Sequence, residues 1–215
     1  MALKDIEKVL KILAKQQGVS MLGQFRKYPA WKILISTILS ARANDDATIP
    51  VSKELFRKYP TLRKLSEANP NDIKKIIKKT VYYNNKTKYI LNTAKILLDK
   101  YDGKVPDTME ELLTLPGVGN KVAGCVVVYA HNKPEAIPVD THVAVVSRRL
   151  GWTKHENPDK IMKDLMEKIP KKYWLIVNEV LVVHGREICF KRNPRCFECP
   201  IVKYCEYDEK NLKKE

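Results

Sequence analysis

The stretch "LPGVGNKVAGCVVVYA", Leu115 to Ala130, decides the fold. Its Pro-Gly-x-Gly turn joins a short helix to a second, apolar helix. Glycines at positions 117 and 119 permit positive φ angles and let another backbone approach closely. The amides after Gly117 point out of the N-terminus of the second helix, where an anion such as a phosphate group is favoured. The stretch therefore predicts a helical hairpin; glycines that serve only tight packing are the alternative explanation.

Helix signals fill most of the remaining chain. Asp107, with Glu110 three residues later, predicts a capping box that opens a short helix. No Asn-Gly or Asp-Gly hairpin signal is flanked by alternating residues, so we predict an all-α chain with loops at 102–107, 131–139 and 189–200. The further helix limits that we predict are a start at Asn157-Pro158, a stop at Gly185 and a helix from Lys86 to Tyr101 that Gly103 ends.

Charge and hydropathy restrict the class of protein. The 215 residues include 40 Lys and Arg against 25 Asp and Glu, a net charge of +15 that favours polyanionic partners. A solvated lysine-rich surface is the alternative. The N-terminus "MALKDIEKVLKILAKQQ" lacks the uninterrupted apolar core of a signal peptide, and the apolar stretch from Trp31 to Ala43 is too short to span a membrane. We therefore expect an intracellular, cytoplasmic chain.

Four of the five cysteines form a cluster near the C-terminus, with the spacing C-x6-C-x2-C-x5-C. Disulfides, a zinc site and an iron–sulfur cluster are the three possible explanations. A reducing compartment disfavours disulfides, but the spacing leaves zinc and iron–sulfur open. Cys125 lies apart in an apolar run and is expected to be a small core residue. The candidate ligands are Cys189, Cys196, Cys199 and Cys205.

A lysine and an aspartate are candidates for catalysis. Lys121 follows the glycine turn, and Asp140, in "IPVDTHVAVVSRRL", lies where the N-cap of a helix belongs. Alone, the lysine is an ordinary phosphate contact and the aspartate an ordinary cap. Together they suggest a nucleophilic amine and a carboxylate that assists proton transfer.

Three motifs in this order resemble a known family. "LPGVGNKVA", "VDTHV" and the cysteine cluster, with "ILSARANDD" and "YYNNKTKYI", resemble endonuclease III of the helix-hairpin-helix DNA glycosylases over nearly the whole chain. The resemblance implies that Lys121 attacks C1′ of a damaged nucleotide, that Asp140 assists, and that the four cysteines hold a [4Fe–4S] cluster. It also implies a monomer that binds double-stranded DNA with damaged bases or abasic sites and flips the damaged nucleotide out of the duplex.

The resemblance implies two all-α domains on either side of a DNA-binding cleft. One is a six-helix domain over residues 22–131 that contains the helix-hairpin-helix motif, at about 107–130. The other joins residues 1–21 to 132–215 and carries the cluster loop. The DNA contacts that we expect are Leu115, Gly117 and Gly119 in the hairpin, Lys191, Arg192 and Arg195 in the cluster loop, and Arg42 and Tyr82.

Two positions depart from the pattern of the family. Arg42 stands where bacterial members commonly have Gln, and Val81 and Tyr82 replace the usual Gly and Leu. Both departures concern the range of substrates and leave the reaction class unchanged.

The expected activity is that of a bifunctional glycosylase and abasic-site lyase in base excision repair. It excises oxidised pyrimidines and cuts 3′ to the site by β-elimination. The alternatives are a monofunctional glycosylase, which usually carries Ser or Tyr in place of Lys121, a non-catalytic DNA-binding module and an electron carrier. We expect the enzyme to associate with the nucleoid.

Overall fold

The computed structural model describes residues 3–43 and 45–213, and the regular elements in these ranges are all helices. The all-α prediction is therefore confirmed. The chain divides into two units, one of Met21–Lys133 and one of Met1–Ser20 with Pro134–Glu215. No helix within the described ranges combines the length and the apolar character that crossing a membrane requires.

The unit of Met21–Lys133 is built around two buried helices that pack against each other. They are α3 (Ala30–Ser40), which is buried from Ile33 onward, and α9 (Asn120–Tyr129), whose residues from Val122 onward are buried. The β-branched run at 126–128 is thus helical, as predicted. The other helices of this unit are α2 (Met21–Phe25), α4 (Asp45–Lys58), α5 (Leu62–Ser66), α6 (Pro70–Ile77), α7 (Tyr83–Tyr101) and α8 (Met109–Leu113).

The other unit packs its helices around a core that includes the fully buried Trp152. The predicted start at Asn157-Pro158 is confirmed, because the Asn157 side chain accepts hydrogen bonds from the first turn. Its helices are α1 (Leu3–Leu13), α10 (Thr141–Arg149), α11 (Pro158–Lys168) and α12 (Trp174–Glu187), with short 3-10 turns at Lys171–Tyr173, Cys196–Glu198 and Val202–Tyr204.

The capping box of α8 lies one residue later than predicted. Thr108, not Asp107, is the N-cap; its Oγ1 accepts a hydrogen bond from the amide of Glu111 at 3.3 Å and donates one to the Glu111 carboxylate at 3.0 Å. The carboxylate of Asp107 instead pairs with Lys133 at 2.6 Å, which lowers the pKa of Asp107 through that hydrogen bond. Because Asp107 forms this ion pair, its carboxylate does not cap the helix as predicted.

The helix predicted to begin at Lys86 begins at Tyr83, three residues earlier. Its end agrees with the prediction, since Asp102 and Gly103 both have positive φ and the Gly103 amide bonds back to Leu97. Tyr82, which precedes the helix, is also left-handed, with φ of 58°.

The predicted stop at Gly185 is wrong, because α12 continues to Glu187. Gly185 is a packing residue: a Cβ atom there would lie 2.9 Å from the Cβ atom of His142 on α10. The missing side chain lets α10 approach α12 closely.

Replacing Gly185 with Ala tests this packing. Alanine is the better helix former by about 1 kcal/mol, but overpacking a filled contact costs about 1–3 kcal/mol. We expect a lower free energy of unfolding in chemical denaturation. Gly119→Ser is the control, since a Cβ atom at 119 meets nothing within 4 Å and serine is accepted where that helix begins. A Gly185→Ala protein more stable than the parent would contradict the packing role.

Candidate active site and candidate metal centre

The hairpin turn is held against α7 by two contacts. The hydroxyl of Thr93 donates to the carbonyl of Pro116 at 3.1 Å, and Gly117 lies on the ring of Tyr89. Gly117 has φ of +77°, and a Cβ atom there would lie 2.7 Å from ring atoms. Gly117 therefore uses the positive φ that glycine permits. Leu115, also expected to contact DNA, is buried, with 3% of its surface exposed.

Gly119 differs from Gly117 in both conformation and surroundings. It is the N-cap of α9 with φ of −106°, so it does not use the positive φ that glycine permits. It is exposed, and a Cβ atom there would meet nothing within 4 Å. The first amides of any α-helix lack intrahelical partners and favour an anion. No described residue packs where a side chain at 119 would begin.

Lys121 lies in the first turn of α9 and is half-buried. Its Nζ donates a long hydrogen bond, 3.4 Å, to the hydroxyl of Ser40. Ser40 is the last residue of α3, and its hydroxyl donates to the carbonyl of Thr37 at 2.9 Å. The amine of Lys121 is therefore held at the C-terminal end of α3.

Asp140 belongs to the other unit and caps α10, as predicted. One carboxylate oxygen accepts a hydrogen bond from the amide of Val143 at 2.8 Å. The approach to this cap is fixed by Asn178, whose side-chain amide donates to the carbonyl of Pro138 at 2.9 Å, and by buried Val139. The position of the carboxylate is thus set by both α10 and α12.

Arg42 and Tyr82 form a pair on the surface of the Met21–Lys133 unit. The guanidinium of Arg42 lies 5.6 Å from the centre of the Tyr82 ring, and its Nη1 donates to the phenolic oxygen at 3.2 Å. Both residues have positive φ, and Tyr82 and its neighbour Val81 are about half exposed. Sequence reasoning named both residues, but nothing in the sequence indicates their contact, because they are 40 positions apart.

The cysteine cluster lines one cavity. Cys189, Cys196, Cys199 and Cys205 are free thiols that share this cavity with apolar side chains such as Ile188. Burial raises the pKa of Cys199 to about 11 and also raises those of Cys189 and Cys205. Within the described ranges, no set of three or more His, Cys, Asp or Glu side chains is arranged to hold a metal ion.

Arg149 organises the cavity from α10. Its Nη1 donates to the sulfur of Cys189 at 3.2 Å and to the carbonyl of Phe190 at 2.8 Å, while its own carbonyl accepts from Cys205. Thiolates are the form that binds metal, and the cation favours that form at Cys189. Four sulfur donors beside a cation fit an iron–sulfur cluster or another thiophilic metal.

His184 also faces the thiols, with Nε2 at 3.6 Å from the sulfur of Cys199. Burial lowers the pKa of His184 to about 4, so this histidine is neutral at physiological pH. Sequence reasoning missed both His184 and Arg149. Neither lies in the cysteine spacing, and each is one polar residue within an otherwise ordinary helix.

The loop before the second cysteine is basic and exposed at Lys191, Arg192 and Arg195. Arg195 is partly engaged by the protein, since its guanidinium pairs with Glu198 at 2.9 Å and lies over the ring of Phe190.

Comparison with known proteins places the chain in a family. The model of the HhH-GPD superfamily of base excision DNA repair proteins matches residues 35–171. Endonuclease III of Thermotoga maritima is 42% identical over 86% of each chain, and that of Bacillus subtilis is 37% identical over 86% of this chain and 84% of its own. A solved structure, a trapped covalent intermediate of endonuclease III with DNA, superposes with a TM-score of 0.83 at 33% identity over 95% of this chain and 96% of its own.

These likenesses cover the hairpin, the helix that Asp140 caps and the fold of most of the chain. They confirm the resemblance on which the sequence analysis relied. The chain belongs to the endonuclease III family of the HhH-GPD superfamily.

Proposed function

We propose that the amine of Lys121 is the nucleophile of this enzyme and that the carboxylate of Asp140 assists it. As a member of the endonuclease III family, the chain is a bifunctional DNA glycosylase and abasic-site lyase for oxidised pyrimidines in base excision repair. The observation that carries the assignment is the position of Lys121. Lys121 lies in the first turn of a helix, and the exposed N-cap glycine of that helix would leave room for a DNA backbone.

The chemistry follows from an amine and a carboxylate. Neutral Lys121 attacks C1′, the damaged base leaves with the bonding electron pair and takes up a proton, and the sugar opens to a Schiff base with Nζ. Loss of a proton from C2′ then expels the 3′ phosphate by β-elimination. Asp140 would stabilise the cationic sugar and assist the proton transfers. A solved relative is a covalent intermediate with DNA, which supports nucleophilic catalysis.

DNA would be held mainly through its phosphates. The amides at the start of α9 would bind one phosphate, and the absence of a side chain at Gly119 would let that strand approach. Lys191, Arg192 and Arg195 would contact other phosphates along the backbone. The net charge of +15 supports electrostatic binding of the phosphates.

The pair of Arg42 and Tyr82 would occupy the gap left by the extruded nucleotide. A planar guanidinium over an aromatic ring presents two flat groups that can stack against bases. The pair is exposed, and its two members are joined by a hydrogen bond. We expect it to influence which base is accepted opposite the lesion.

We infer that Cys189, Cys196, Cys199 and Cys205 hold a [4Fe–4S] cluster with a structural role. Each cysteine of such a cluster binds a different iron, so the four sulfurs need not converge on one point. Arg149 joins Cys189 to the carbonyls of Phe190 and Lys191, so an ordered cluster would shape the basic loop that follows. We expect the enzyme to act as a monomer.

Borohydride trapping tests the nucleophile. The parent protein should become covalently attached to abasic DNA when borohydride reduces the Schiff base. Lys121→Gln should lose trapping and strand cleavage but still bind, since one of 40 basic residues is lost. Trapping by Lys121→Gln at the parental yield would show that another amine is the nucleophile.

Two substitutions at Asp140 separate charge from capping. Asp140→Asn keeps an acceptor for the Val143 amide, so it should fold normally, trap more slowly and still trap. Asp140→Ala should in addition lose about 1 kcal/mol of stability because the cap is lost. Equal trapping rates for Asp140→Asn and the parent would remove Asp140 from the mechanism.

Substituting Gly119 tests the phosphate site without disturbing the fold. Gly119→Val should fold normally, because its backbone is extended and its surroundings are open. It should bind every duplex more weakly, whether damaged or not. Gly117→Val is unsuitable alone, because the ring of Tyr89 and the positive φ would also destabilise it. Parental affinity in Gly119→Val would show that no strand approaches this turn.

The metal is tested by composition and colour. Freshly purified protein should be yellow-brown and contain iron and sulfide, whereas zinc is d¹⁰ and colourless. Cys199→Ser should lose the colour, and Cys125→Ala should keep it because Cys125 is a buried core residue. Stoichiometric zinc without iron or sulfide would refute the cluster.

A further inference from the structure

The amine of a second lysine lies at the same turn of α3 as the amine of the proposed nucleophile. Lys86, in the first turns of α7, is only 3% exposed. Its Nζ donates to the carbonyl of Leu39 at 2.6 Å, although the two residues are 47 positions apart. Lys121 donates to the hydroxyl of Ser40, the next residue. Two amines from different helices therefore form hydrogen bonds to consecutive residues at the end of α3.

The end of α3 is suited to hold a cation. The last carbonyls of a helix have no intrahelical partner and carry partial negative charge. Lys86 supplies both a donor and a positive charge for this end. Within the described part of the chain, no carboxylate forms an ion pair with Lys86. Its amine forms a hydrogen bond to the carbonyl of Leu39 instead.

The two amines also interact electrostatically. The pKa of Lys86 is lowered to about 8, first by burial and second by the charge of Lys121, which is the charged side chain that acts on it. An amine with a pKa near 8 is still mostly protonated at pH 7. Lys86 therefore carries a positive charge beside Lys121 under the conditions of the reaction.

We propose that Lys86 is a positioning residue for Lys121: it fixes the turn to which Lys121 is hydrogen-bonded and sets a second positive charge beside its amine. A charged donor forms a stronger hydrogen bond than a neutral one, so protonated Lys86 holds the end of α3 firmly at the residues beside the Lys121 amine. Buried Lys86 does not touch the sugar itself. This inference rests on the proposed role of Lys121 as nucleophile.

Three substitutions separate the charge of Lys86 from its hydrogen bond. Lys86→Gln keeps a donor and removes the charge, Lys86→Met removes both, and Lys86→Arg keeps both. The rate of borohydride trapping is measured from pH 6 to pH 9.5 with the enzyme in excess over abasic DNA. Binding of the same duplex without borohydride shows that each variant is folded.

We expect Lys86→Gln to trap several-fold more slowly than the parent below about pH 8, where Lys86 is charged, and to approach the parental rate at pH 9.5, where the parent has lost that charge as well. Lys86→Met should be slower than the parent throughout, because the turn has lost its anchor. Lys86→Arg should keep the parental rate.

Lys95→Met is the matched control, because Lys95 is an exposed lysine on the same helix. It should keep the parental trapping rate at every pH. Parental rates in both Lys86→Gln and Lys86→Met would overturn the inference, as would an equal loss of rate in Lys95→Met. Failure of the underlying proposal would be seen separately, as trapping by Lys121→Gln in the same series.

Discussion

The contact of Gly117 with the ring of Tyr89 determines where α9 begins. The turn cannot move outward without losing the hydrogen bond from Thr93, and it cannot carry a side chain without striking the ring. Because α9 starts there, Lys121 falls in its first turn and its amine reaches the end of α3. The chemistry proposed for this unit depends on that one packing contact.

In the other unit, close packing at a glycine likewise sets the position of a side chain, the carboxylate of Asp140. Gly185 brings α10 against α12, and Asn178 ties the strand-like approach at Pro138 to α12 as well. Asp140 therefore begins α10 at a fixed place, and its carboxylate is oriented by the cap that it forms. A glycine inside a helix and a buried amide thus position the aspartate that is proposed to assist the reaction.

The sequence predicts local features well and distant contacts poorly. The hairpin, the cap by Asp140 and the start at Asn157 were all predictable, because each depends on residues within four positions of one another. The error at Asp107 has a distant cause, since Lys133 takes its carboxylate. Lys86 and Arg149 were missed for the same reason: their partners lie 47 and 40 or more positions away. The prediction at Gly185 was wrong because a glycine in the sequence can mark either the end of a helix or a close crossing of two helices.

Gly119 has a consequence for anyone who engineers this protein for heat resistance. Because α9 has no side-chain cap, a design method that scores only the folded state would replace this glycine with Ser, Asp or Asn. The gain would be a few tenths of a kcal/mol. An aspartate would put a negative charge where a phosphate is proposed to bind. A variant chosen this way would keep its fold but lose the open N-terminus at which phosphate binding is proposed, so Gly119 is better held constant in any such search.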